Sequence, residues 1–145
     1  MKTRSKILLL LMLLNTRCIS TEEPGIATQT TIFNTSGREI EIQRFGQGKH
    51  FSSIHIKDNE STVLNVPSKD GTGKALPYIQ LDADSIRVFY YEEASIWHNK
   101  EENQVVSKSL LLESSYDGGK VNDTRYEFTY TFTEDDFQEA VDFGD

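Results

Sequence analysis

The chain predicts an all-β fold, an antiparallel β-sandwich of about seven strands closed by a short C-terminal helix. Three observations carry this prediction. In "TRYEFTYTF" (124–132), Tyr126, Phe128, Tyr130 and Phe132 alternate with polar residues, the period-two pattern of a strand with one buried face. Short β-branched runs recur along the body and are punctuated by Gly, Pro, Asn and Asp. Only the last segment, "TEDDFQEAV" (133–141), has helical spacing.

In chain order, "TQTTIFN" (28–34) is β-branched and "NTSG" (34–37) is a turn whose glycine can take positive φ. "EIEIQRF" (39–45) alternates through Ile40 and Ile42, so these pieces predict a first hairpin. "FSSIHIK" (51–57) puts Ile54 and Ile56 on one face and Ser53 and His55 on the other. "DNES" (58–61) turns the chain into "TVLNV" (62–66), and a loop with two prolines and two glycines (67–77) follows. "YIQL" (78–81) reads as a strand. "SIRVFYY" (85–91) is apolar on both faces, as suits a central strand covered on both sides.

Residues 92–108 are charged and read as a long loop around Trp97. "SLLLESSY" (109–116), the turn "DGGK" (117–120) and residues 124–132 predict a second hairpin. Thr133 is the candidate N-cap of the helix. Three acids occupy its first turn, where the helix dipole favours them, and Phe137, Ala140 and Val141 share one face.

The N-terminus predicts export. Lys2, Arg4 and Lys6 precede an unbroken apolar run at 7–14, the order of a secretory signal. That run is too short to span a bilayer, which needs about 20 apolar residues. Two cleavage readings remain. Either the cut precedes Cys18 and its thiol carries diacylglycerol, or an ordinary peptidase cuts after Ser20. An exported chain uses cysteines in pairs or not at all, and the single cysteine stands where the apolar run ends. The lipid reading is therefore preferred, although Arg17 occupies the position where such signals carry a small residue. The domain plan is a signal peptide over 1–17, a flexible tether over 18–27 and a β-sandwich over 28–145.

From Cys18 onward the chain carries 11 bases against 23 acids, a net charge of about −12. Such a surface repels nucleic acid and excludes it as a partner. It also disfavours docking on anionic lipid, so a membrane partner is expected only through the N-terminal lipid.

The leader "KILLLLMLLNTRC", the opening "TIFNTSGREIEI" and the ending "YEFTYTFTEDDFQEA" resemble the small lipoproteins of unknown function of Bacteroidetes-type bacteria. Glu22 and Glu23, shortly after Cys18, resemble the acidic signal that sends some of them to the outer face. The resemblance implies a bacterial outer-membrane address, periplasmic or surface-exposed, and a β-rich fold. It implies no reaction.

Chemistry-bearing constellations are sparse. His50, His55 and His98 have no partner at metal-ligand spacing and read as solvent-face residues, so no metal is expected. Acidic pairs such as Asp82 and Asp84 fit turns better than calcium, because no stretch matches a twelve-residue calcium loop. "GQGK" and "GTGK" lack the spacing of a phosphate loop, and no nucleophile elbow is present. The sequons at Asn34, Asn59 and Asn122 read as incidental turn residues. Trp97 is the one candidate ligand contact: it reads first as an anchor into the core, and otherwise as a stacking platform in a polar loop. No catalytic residue and no cofactor is assigned. The functional expectation is a non-enzymatic cell-envelope lipoprotein domain, with Cys18 as lipid attachment, that binds an envelope protein or glycan or serves a structural role. The alternative is a small secreted enzyme or enzyme inhibitor.

Overall fold

The computed structural model describes residues 27–67, 76–91, 93–100 and 106–143. Cys18, the signal and most of the tether lie outside these residues. Eight strands form two four-stranded sheets that pack face to face: β1 (Ala27–Asn34), β2 (Ile40–Gly46), β3 (Lys49–Ile56), β4 (Ser61–Pro67), β5 (Ser85–Tyr90), β6 (Ala94–Asn99), β7 (Asp117–Asn122) and β8 (Arg125–Phe132). A helix, α1 (Glu134–Phe143), follows. One sheet has the order β4-β1-β8-β7, the other β3-β2-β5-β6. The predicted sandwich with a terminal helix is thus what forms. It has one strand more than expected, and one pairing is parallel, β1 beside β8.

The first expected hairpin does not form, because β1 and β2 belong to different sheets. The reason is Asn34, whose side chain is fully buried. Its Nδ2 donates to Arg38 O (2.6 Å) and Ile56 O (3.0 Å), and its Oδ1 accepts from Ser36 N (3.1 Å) and Ser36 Oγ (2.7 Å). These bonds turn "NTSG" into a corner that carries the chain from one sheet to the other. Gly37 takes φ +79° there. Asn34 is a structural staple, not an incidental turn residue. The first hairpin in chain order is instead β2–β3, turning through Gln47 (φ +51°) and Gly48 (φ +72°), the pair of positive φ values that matches strand twist.

Three further expectations shift. "YIQL" forms a 3₁₀ turn, Tyr78–Gln80, rather than a strand. Its outer carbonyls are taken by a side chain: Arg44 Nε donates to Ile79 O (3.2 Å) and Arg44 Nη2 donates to Leu81 O. Burial of Arg44 lowers its pKa, and the guanidinium lies 4.7 Å from the ring centres of both Phe51 and Tyr78. In "SLLLESSY", Leu110 and Leu111 are buried consecutively and Leu112 is exposed, which no alternating strand allows. This stretch plugs one end of the sandwich through a turn from Ser109 O to Leu112 N (3.0 Å). "DGGK" is the start of β7, not a turn. Gly118 approaches Glu127 O so closely that a Cβ would lie 2.3 Å from it, and the hairpin turns instead at Asp123–Thr124.

The aromatic row is core. Phe128, Tyr130 and Phe132 are buried and Tyr126 packs at their margin. They meet Ile40, Ile42, Ile86, Val88, Tyr90 and Ile96 of the other sheet. Burying a side chain of this size contributes about 1.5–3 kcal/mol. The helix closes the same core with Phe137 and Ala140, while Val141 points to solvent, against expectation. Its start is fixed by Asp136, whose Oδ2 accepts from Thr133 N (2.8 Å) and Thr133 Oγ1 (2.7 Å). Arg38 clamps the helix to the β5–β6 turn. It pairs with Glu134 (3.0 Å) and Glu93 (3.1 Å) and lies 3.7 Å from the Phe137 ring centre.

Candidate functional site

The expected loop around Trp97 contains a strand, β6, because "ASIWHN" alternates. Ile96 and His98 face the core, and Trp97 faces outward. Trp97 is therefore not a core anchor. It is half-buried on the outer face of β3-β2-β5-β6, with its ring centre 5.1 Å from that of Phe45.

Register places its neighbours. Opposed residues of antiparallel strands share a face, so the outward side chains stand in three rows. One row reads His55, Glu41, Phe89, Ser95; the next Ser53, Gln43, Arg87, Trp97; the third His50, Phe45, Ser85, Asn99. The small Ser85 lets Phe45 and Trp97 meet above β5. The second face of β5, expected to be covered, is open to solvent. It holds Arg87 and Phe89 half-buried.

Arg87 is the centre of this surface. Its guanidinium lies 4.4 Å from the Phe89 ring centre and 5.3 Å from that of Trp97. Nε and Nη2 both donate to Ser95 Oγ, at 3.2 and 2.9 Å. Among the described residues no carboxylate stands within ion-pair distance of Arg87. Beside it, Gln43 Nε2 donates to Glu41 Oε1 (3.0 Å), and that hydrogen bond holds the Glu41 carboxyl below its ordinary value. His55 Nε2 stands 3.8 Å from the same oxygen. Glu41, His55, Arg87, Phe89 and Ser95 line a shallow basin of about 540 Å³, with Tyr91 at its rim. Tyr91 is an exposed aromatic held at φ +27°, a conformation that costs a bulky residue about 1–3 kcal/mol.

The three histidines separate by environment. His50 and His55 are exposed, as expected, but His98 is buried at 3 % exposure between β6 and α1. Its Nδ1 accepts the Leu110 N–H (3.4 Å), which places the proton on Nε2, and Nε2 has no partner among the described residues. Burial lowers its pKa to about 4. Among the described residues no three His, Cys, Asp or Glu side chains gather as metal ligands. Cys18 lies outside them.

The opposite face, on β4-β1-β8-β7, exposes Phe33 and Val63 and has a shallow basin of about 440 Å³ beside Arg125. Its outward residues include Thr31, Thr129 and Thr131, and its Arg125 is paired with Glu127 at 2.6 Å. Of the surface residues, sequence reading singled out Trp97 alone. Arg87 and Phe89 were legible as alternate positions of "SIRVFYY", but nothing in that run tells which of two apolar-looking faces meets solvent. Comparison with protein-family profiles, with characterised proteins and with solved structures yields no match for this chain.

Proposed function

We propose that this chain is an exported envelope domain, tethered by a lipid on Cys18, that binds a ligand without chemistry across the outward face of β3-β2-β5-β6. The observation that supports the reading is Arg87. A cation stacked between Phe89 and Trp97, with no carboxylate at ion-pair distance among the described residues, on an otherwise acidic chain, is preorganised for something beyond the chain. The strained Tyr91 at the rim fits the same reading, since such strain gathers where a surface is shaped for contact. The leader, the lone cysteine and the acidic surface support the address.

Two experiments test it. Cys18→Ser moves the protein from membranes to the soluble fraction if the thiol carries lipid. A mature N-terminus at Thr21, or unchanged partitioning, removes the anchor from the reading. The Cys18→Ser chain is then mixed with delipidated envelope material and sedimented. Saturable co-sedimentation that Trp97→Ala abolishes, at unchanged melting temperature, is the expected result. Equal sedimentation of the variant contradicts the assignment of the face.

A further inference from the structure

We infer that the ligand of this face is a neutral oligosaccharide. The inference rests on the face being the binding surface and adds the class of ligand.

A sugar ring offers two kinds of surface. Its C–H faces are apolar and stack on aromatic rings. Its hydroxyl rim both donates and accepts, and planar polar side chains meet adjacent hydroxyls in pairs. The twelve outward positions carry both and little else. Phe45, Phe89 and Trp97 are the stacking elements, and none of the twelve is aliphatic. Arg87, Glu41, Gln43 and Asn99 are the planar polar groups. Atoms of Arg87 and Gln43 have no partner among the described residues. Arg87 uses Nε and Nη2 on Ser95, and among the described residues Nη1 is left to donate. Gln43 spends Nε2 on Glu41, and its Oε1 has no partner among the described residues.

Charge decides between ligand classes. Within the twelve positions Glu41 and Arg87 cancel, on a chain of about −12; Glu39 and Glu93 border the basin, and Glu93 is paired with Arg38. An anionic ligand meets the repulsion of the whole domain. A cationic ligand meets the Arg87 guanidinium at the centre of the face. A protein partner is served by a contiguous apolar patch with a desolvated centre, and here the Arg87 guanidinium lies between Phe89 and the touching pair Phe45 and Trp97. Strands about 4.8 Å apart and outward residues about 6.7 Å apart make the three rows a patch about 13–14 Å on a side, the footprint of a short run of sugar units.

Trp97 is the only tryptophan of the chain, so its emission reports on this face directly. The Cys18→Ser chain is titrated with cellohexaose, xylohexaose, mannohexaose and maltohexaose, and with hexagalacturonate and hexalysine as charged probes. A saturable blue shift with at least one neutral sugar and with neither charged probe is expected. By calorimetry, Arg87→Gln and Gln43→Ala each weaken that sugar at least about tenfold, equivalent to about 1.4 kcal/mol, at unchanged melting temperature. The inference is overturned if no neutral sugar moves the emission, if a charged probe binds more tightly, or if both variants bind as the parent does. The sedimentation experiment separates the two failures. Retention on envelope material that depends on Trp97, with no response to any sugar, overturns the ligand class alone. Loss of both overturns the binding face as well.

Discussion

His98 makes the domain sensitive to acid in a narrow window. Buried, it titrates at about 4, against the ordinary 6.5. As pH falls from 6.5 towards 4, the unfolded chain takes up a proton that the folded chain refuses. Stability is therefore lost across that interval and is unaffected by this residue above it. The gap corresponds to about 3 kcal/mol, a large share of the about 5–15 kcal/mol that holds a domain together. The groups facing the imidazole do not relieve it. Tyr90 and Tyr130 stay neutral, because burial raises both their pKa values. Lys108 opposes a second positive charge. Asp136 is committed to Thr133, and Glu139 accepts from Ser107 N (2.6 Å) and Ser107 Oγ (3.1 Å). The assay is urea unfolding followed by Trp97 emission at stepped pH, for the parent chain and for His98→Gln. The numerous carboxylates titrate alike in both and cancel in the difference. Between pH 7 and 4 the parent loses about 3 kcal/mol relative to the variant. A difference that stays flat within about 0.5 kcal/mol refutes the assignment of a neutral, desolvated imidazole.

Two other substitutions probe the frame. Phe128→Ala, at a side chain 2 % exposed and set edge-on to Tyr116, costs about 3–5 kcal/mol in urea unfolding; an unchanged midpoint would mean that the aromatic row is not core. Arg44→Ala leaves the Ile79 and Leu81 carbonyls without their donor and costs about 2–4 kcal/mol, and Arg44→Lys restores little, because one ammonium cannot reproduce a fork of two donors; full rescue by lysine would show that charge alone matters there.

What was legible in the chain follows from which signals are local. The alternation of Tyr126, Phe128, Tyr130 and Phe132 is a property of one strand, and it placed the core face correctly. The acidic first turn of α1 is likewise local. Pairing is not. "NTSG" reads as a hairpin turn until the four hydrogen bonds of Asn34 are seen, and they reach residues as distant as Ile56. Arg44 shares the parity of Ile40 and Ile42 and so had to face inward. Its charge argued against that, and only the carbonyls of the 3₁₀ turn resolve the conflict. "DGGK" carries turn residues, yet Gly118 serves a close strand approach instead. The candidate site was the least legible part. Trp97 stood out by rarity, but its relation to Arg87, Phe89 and Phe45 depends on the register of three strands.

The most direct measurement is a residue-resolved NMR titration of the Cys18→Ser chain with the neutral sugar that shifts Trp97 emission. Chemical-shift changes concentrated on the Trp97 indole, the Arg87 guanidinium, the Gln43 amide and the amides of β2, β5 and β6 are expected. Changes centred on Thr31, Val63 and Thr129 of the opposite sheet, or spread evenly over the chain, would contradict a binding face on β3-β2-β5-β6.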